Sequence, residues 1–269
     1  MTAHVIRTAG HYYDFLAAIY NYREYLKHSV IRDLRKKYKR STLGYLWSML
    51  NPLLLMIVLT VVFSKIMSHV ETYSVFLFSS LLAWQYFVGT VTQSLSSIRA
   101  NMKLIEQVPI PKFLFVLSIA VSNIVNFLLS LVPLLLVMVV VGRPIQWTVL
   151  LFPVMFIPLF LITIGFSLLF AVANVFFEDT THLVRVVTHA WYYLTPILYG
   201  RDHIPASLES WIPFANPMFL VCEYMRDIFY YGNIPSLSAY LYSCCVGLAV
   251  LALALWIFHK CDDKFIYFV

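Results

Sequence analysis

The chain has 269 residues, of which 61% are hydrophobic and 12% charged, with a mean hydropathy of +0.79. A soluble domain carries about 25% charged residues, so water is excluded as the main solvent of this protein. The net charge of +6 does not read as a nucleic-acid footprint, because the positive residues crowd at the flanks of apolar runs instead of covering a surface. Cys222, Cys244, Cys245 and Cys261 show neither CxxC spacing nor a paired histidine pattern, which reads as buried or cytoplasmic thiols rather than a disulfide framework or a zinc site. Residues 1–39 are polar and basic without an apolar h-region, so no cleavable signal peptide is expected.

In residues 12–39 the apolar side chains of Phe15, Ile19, Tyr22, Leu26, Val30 and Leu34 recur every three or four positions, with Arg23, Lys27, Arg32 and Arg35 on the other faces. This is the period of an amphipathic helix, lying either in the lipid headgroup plane or against a partner protein. Its last turns are a dense basic run, Arg35, Lys36, Lys37, Lys39 and Arg40, which feeds into an apolar segment after a short break at residues 41–44. Cations beside an anionic cytoplasmic leaflet gain about 1 kcal/mol each, so the cluster predicts an anchor on the cytoplasmic side. Lys36, Lys37, Lys39 and Arg40 are the expected contacts to an anionic lipid headgroup.

Six apolar runs follow, at residues 43–64, 73–94, 113–141, 147–176, 184–199 and 237–258, each compared with the ~20 residues a helix needs to cross the bilayer core. The fifth is short, and Pro153 and Pro158 are expected to kink or delay the fourth. With the N-terminus inside, 15 of the 19 Lys and Arg fall on the cytoplasmic side, which favours an even number of spans and both termini cytoplasmic. The predicted fold is therefore an all-α membrane protein with an N-terminal interface region at 1–42 and a six-span transmembrane domain at 43–269. Residues 200–236 are too apolar for free solvent and too broken by Pro205, Pro213, Pro217 and Pro235 to span. Two readings fit them: short re-entrant helices dipping from the outer face, or a loop lying flat on the membrane. The two halves show no internal repeat, against an inverted-repeat carrier.

Enzyme signatures are missing: there is no GxSxG, HExxH or GxxxxGK[ST], and no catalytic residue or metal ligand is assigned. Glu178, Asp179 and His182 offer a DxxH spacing that suits a metal or a proton relay, but without a third ligand nearby a charged turn between spans fits as well. The predicted spans hold no charge except Arg185 near an end, and ion-coupled transporters normally need one, so energy is expected from elsewhere. Neutral polar faces take the place of charges. Gln85, Gly89, Gln93 and Ser97 recur every four residues, as do Ser118, Ser122, Asn126 and Ser130, while Thr188, Tyr192, Thr195 and Tyr199 share a face of the fifth run. Small residues at such spacing mean close helix packing, whereas amides and tyrosines suit a passage for a hydrated, uncharged, ring-containing polymer such as a glycan. In the loop at 96–112, Arg99, Met102, Lys103 and Glu106 share a face of a two-turn helix ended by Pro109 and Pro111. It reads as a docking knob for a cytosolic partner or as an ordinary connector.

Three stretches carry a family resemblance: LRKKYKRSTLGYLWSMLNPLL, LIEQVPIPKFLFVLS, and FFEDTTHLVRVVTHAWYYLTPILY with the IP and ANP that follow. The chain resembles the membrane subunit of type-2 ABC exporters for polysaccharides, the Wzm group of O-antigen exporters, with the teichoic-acid and capsule exporters as related alternatives. The resemblance implies a homodimer of six-span subunits carried on two copies of a separate ATPase. That ATPase holds the ATP and Mg, with no cofactor in this chain, and the cargo is an undecaprenyl-diphosphate-linked glycan crossing the bacterial inner membrane. It places an interface helix on 12–39, a coupling helix on 99–107 and outer gate helices within 204–231. The expected path lining is Asn51, Gln85, Gln93, Tyr192, Thr195 and Tyr199. Relatives often have a Phe-Pro pair after the coupling helix, where this chain has Val108, Pro109, Ile110 and Pro111. The rival from another class is a membrane-embedded enzyme acting on polyprenyl-linked sugars, with Glu178, Asp179 and His182 as its acid-base cluster.

Overall fold

The computed structural model describes residues 15–265 except 16, 40, 109, 206 and 208–210, and leaves aside the side chains of Lys37, Tyr38 and Asp263. The expectations for residues 12–14, the Lys37 side chain, Arg40 and Pro109 lie outside the described residues. Among the described residues the regular structure is helical, with no strand. A basic helix α1 (Arg23–Tyr38) precedes α2 (Leu46–Phe63) and α3 (Tyr73–Ser94). Two short helices, α4 (Ser97–Ala100) and α5 (Met102–Gln107), lead to α6 (Phe113–Val140). A 3₁₀ turn, Trp147–Leu151, then runs into α7 (Phe152–Phe176), followed by α8 (Thr180–Leu194). The short helices α9 (Ile212–Ala215) and α10 (Pro217–Arg226), a π turn at Asp227–Tyr231 and α11 (Leu237–Cys261) complete the order.

Local chemistry sets the boundaries. Gly44 takes φ +51 and its N–H donates to Ser41 Oγ at 3.1 Å, which makes the break at 41–44 a turn between the basic helix and α2. Gly142, at φ +77, closes α6 in a Schellman motif: its N–H reaches Val139 O at 3.1 Å and that of Arg143 reaches Met138 O at 2.8 Å. Pro153 sits in the first turn of α7, where its missing N–H costs nothing, and Pro158 is carried inside the helix, so the expected delay is the 3₁₀ turn before residue 152.

Among the described residues five helices are long and apolar enough to cross a membrane: Leu46–Phe63, Tyr73–Ser94, Phe113–Val140, Trp147–Phe176 and Leu237–Cys261. The fifth expected span, 184–199, is instead the 15-residue α8 followed by an irregular stretch. At 1.5 Å per residue α8 is about 22 Å long, short of the ~30 Å core. Pro196 is the cause, since the residue before a proline is pushed out of the helical region, and Thr195 takes φ −98, ψ 133. The chain still passes from one end of the bundle to the other here. Glu178, just before α8, pairs with Arg99, while Leu198 O accepts Tyr73 Oη–H at 2.8 Å at the start of α3.

α3 is the central helix: 78% of its most apolar window is buried, against 17% for α2 and 22% for α11. Because lipid tails are as apolar as leucine, helix association in a bilayer depends on close packing rather than on escape from water, and the open apolar faces of α2 and α11 suit lipid or another chain. The tightest seam joins α7 to α11. A Cβ on Gly165 would lie 3.0 Å from Leu251 N and 3.1 Å from Val250 C, and one on Gly247 would lie 2.8 Å from Leu161 Cβ. Contacts define the two ends of the bundle. At one, Lys112 Nζ pairs with Asp262 Oδ1 at 2.9 Å and Tyr25 of α1 packs edge-on to Phe115. At the other, Arg143 donates to Thr72 Oγ1 at 2.9 Å and to Tyr230 O at 2.8 Å.

Candidate functional site: an amide-lined cleft and the elements around it

Between α2, α3 and α6 lies a cleft of about 190 Å³. Trp47 and Tyr86 give it flat aromatic walls, Asn51, Gln85, Asn123 and Asn126 line it with amides, and Gly89 leaves its face open. The polar residues recur because one helical face repeats every three to four positions, which puts Gln85 and Gly89 on one wall and Asn123, Asn126 and Ser130 on another.

The amides fall into two kinds. Asn123 is fully used: its Nδ2 donates to Thr90 Oγ1 at 3.2 Å and to Gln93 Oε1 at 3.1 Å, and its Oδ1 accepts from Asn126 at 3.2 Å. Ser130 Oγ lies 2.8 Å from both Ser48 O and Asn126 O, tying α6 to α2. Asn51 and Gln85 make no hydrogen bond to any described residue, and their amides are left for whatever enters. No charged side chain among the described residues lines the cleft. Its amides, hydroxyls and rings can exchange neutral hydrogen bonds and stack on flat faces.

The six expected lining residues divide across α3. Asn51 and Gln85 line the cleft, and Gln93 is one bond behind it through Asn123. Tyr192, Thr195 and Tyr199 lie on the α8 side instead. Tyr192 packs on Trp84 with ring centroids 5.8 Å apart, Thr195 is buried and donates to Trp191 O at 2.9 Å, and Tyr199 Oη–H donates to Tyr193 O at 3.0 Å. The two groups face different sides of one helix and are not brought together.

On the α8 side the organising residue is Asn216, the asparagine of the ANP motif, to which the sequence assigned no role of its own. Its Oδ1 accepts from Trp191 Nε1 at 2.7 Å and from Met218 N at 3.1 Å, capping α10. Its Nδ2 donates to Thr195 Oγ1 at 3.0 Å and to Leu194 O at 3.4 Å, meeting groups that Pro196 leaves at the end of α8. An Asn-Pro pair before an apolar run was the available signal: a side-chain cap followed by Pro at the first helical position. α10 itself is buried against α3, α7 and α11, and Arg226 at its end reaches Ile197 O at 2.7 Å with its guanidinium 3.8 Å over the Phe76 ring.

At the α1 end the expected two-turn helix is split at Asn101 into α4 and α5. The break separates its residues. Arg99 turns inward, pairing with Glu178 and donating to Val175 O at 2.9 Å, whereas Lys103 and Glu106 are exposed on α5, Met102 is half-buried, and α5 has no fully buried residue. Leu104 and Ile105 seat α5 on the apolar cluster built around Leu114, Phe115 and Val172. Of the basic run, Lys36 and Lys39 are exposed. Glu178 is accounted for by Arg99, and Asp179 caps the start of α8 without a side-chain bond.

Five helices of membrane-crossing length and apolarity among the described residues, packed beside a cleft walled by amides and aromatic rings, define a multi-pass membrane protein. Residues 24–230 match the ABC-2 type transporter family, and the chain belongs to it. It is 32% identical over 250 residues to the O-antigen export system permease protein RfbA of Myxococcus xanthus, covering 92% of this chain and 96% of that one. It is also 32% identical over 261 residues to the RfbA permease of Klebsiella pneumoniae, covering 95% of each. The polysialic acid transport protein KpsM of Escherichia coli is more distant, at 24% over 208 residues, 76% of this chain and 80% of the relative.

Proposed function

We propose that this chain is the membrane subunit of an ATP-driven exporter that moves an undecaprenyl-diphosphate-linked polysaccharide of O-antigen type across the bacterial inner membrane. The observation that carries the reading is the pair of unpaired amides, Asn51 and Gln85, beside Trp47 in a cleft without charges. A glycan offers hydroxyls and flat ring faces, and a chain that must slide needs many weak, interchangeable contacts. Neutral hydrogen bonds of about 0.5–1.5 kcal/mol each meet that need, where charged ones would hold a sugar in place. The near full-length likeness to permeases named for O-antigen export points the same way.

The cleft of about 190 Å³ is, in this reading, one wall of the path, and a second copy of the chain completes it. In this reading the fifth crossing is made by α8 plus residues 195–200, giving six crossings with both termini cytoplasmic, a cytoplasmic interface region before residue 43, and α9 and α10 as gate helices dipping from the outer face. Lys36, Lys37, Lys39 and Arg40 hold the diphosphate headgroup, and α5 docks on each of two ATPase copies through Met102, Lys103 and Glu106. Arg99 then passes movement of the α4–α5 unit to the start of α8 through Glu178.

Co-expression with the partner ATPase tests this. The complex purifies with two copies of each chain, and Met102→Asp with Glu106→Lys lowers export per ATP hydrolysed. Turnover of polyprenyl-linked sugar by the isolated chain, or normal coupling in the double variant, overturns the assignment.

A further inference from the structure

At the end of the bundle away from α1, three side chains from two distant segments meet. His69 comes from the turn between α2 and α3, and Asp202 and His203 from the 3₁₀ turn Arg201–His203 that follows the irregular crossing. Asp202 Oδ2 lies 3.1 Å from His69 Nε2 and 3.0 Å from His203 Nδ1, the three donor atoms are all within 4.8 Å of one another, and the two imidazole rings stack with centroids 5.0 Å apart. The transport reading makes no use of them.

We infer that these three residues bind a divalent transition-metal ion, with Zn²⁺ as the best match. Zinc holds imidazole nitrogen and carboxylate oxygen at about 2.0–2.2 Å in a tetrahedral array, which separates neighbouring ligand atoms by about 3.3 Å. The two separations from Asp202 are within a few tenths of an ångström of that value, so the ion needs only a small outward movement of exposed side chains. Two imidazoles and one carboxylate are the donor set of a borderline cation, whereas Mg²⁺ and Ca²⁺ call for oxygen alone. All three ligands are exposed, so water has access to a fourth position. The adjacent Arg201 carries a charge that opposes a cation, and it is engaged by Glu223 Oε1 at 2.9 Å.

The bound ion would be a clasp. It joins the turn leading into the buried helix α3 to the turn that closes residues 195–200, two segments otherwise linked here by Tyr73 to Leu198 O. Holding them together restrains the outer end of the bundle, and releasing the ion frees it. The site does not depend on the cargo: it stands or falls whether or not this chain moves a glycan.

Titration of the full-length chain in detergent with ZnCl₂, followed calorimetrically and by Co²⁺ absorption, tests the inference. One ion binds per chain at neutral pH, Co²⁺ gives the intense visible bands of a four-coordinate site, and excess Mg²⁺ does not compete. His69→Gln, His203→Gln and Asp202→Asn each weaken binding by at least about tenfold. Because the three side chains are exposed, the metal-free variants unfold like the parent, and hydrogen exchange of residues 66–72 slows on adding ZnCl₂ to the parent alone. Unchanged affinity in the two histidine variants, which would place the ion elsewhere, or no stoichiometric ion in the parent, overturns the proposal.

Discussion

Replacing Asn123 by leucine and replacing Asn51 and Gln85 by leucine are near-isosteric changes in one cleft, yet opposite consequences follow from their hydrogen bonds. Asn123 makes two bonds across to α3 and accepts a third within α6. Side-chain hydrogen bonds in membrane helices average about 0.6 kcal/mol, so N123L loses about 2 kcal/mol of stability. Asn51 and Gln85 have no such bonds, and N51L and Q85L change stability by less than about 0.5 kcal/mol. In transport the order reverses. Each lost contact to a sugar hydroxyl removes about 0.5–1.5 kcal/mol, or a factor of about 2 to 12, so N51L with Q85L slows export by about 4- to 140-fold. Unfolding in mixed micelles reads the first effect, and surface polymer in complemented cells reads the second. Parental export by the N51L/Q85L chain, or parental stability of N123L, would refute the division of labour.

Gly165→Ala gains about 0.5–1 kcal/mol of helix preference but drives a methyl to 3.0 Å from the backbone of α11. Overpacking costs about 1–3 kcal/mol, so the variant is less stable, and a more stable protein on micellar unfolding would contradict the close seam. Asn216→Ala removes the cap of α10 and the bonds to Trp191 and Thr195, lowering stability by at least the ~1 kcal/mol typical of a cap. Hydrogen exchange should speed up at residues 194–198 and 217–220 together, and a change confined to one segment would separate them. Arg99→Ala and Glu178→Ala each lower export per ATP hydrolysed without releasing the ATPase; loss of ATPase binding in either would place that residue on the docking face. Burial pushes the Glu223 carboxyl up to about 7 against the opposing pull of Arg201 and Arg226. A raised folded value means that its stabilising contribution is full below about 4.5 and fades as pH rises through about 7. The thermal midpoint should therefore fall between pH 5 and 8, and Glu223→Gln should flatten that slope.

Composition and period determined much of this protein. Apolar runs of bilayer length, a basic segment beside the first of them and four-residue spacing of polar side chains are local properties of a helix, and they placed α2, α3, α6, α7, α11 and the amide faces of α3 and α6. The end of α8 was also local, since Pro196 turns Thr195 out of the helical region, but a window average of hydropathy hides one proline. What no local pattern holds is which faces meet. Gln85 and Tyr192 are both polar groups in apolar helices, and only the packing of α3 between its neighbours puts one in a cleft and the other against Trp84. Asn51 and Asn123 read alike as letters, and their partners across helices made one a free amide and the other a structural bond. His69 and His203 are distant in sequence and joined only by the closing of the bundle, because a ligand set is a matter of ångströms between side chains.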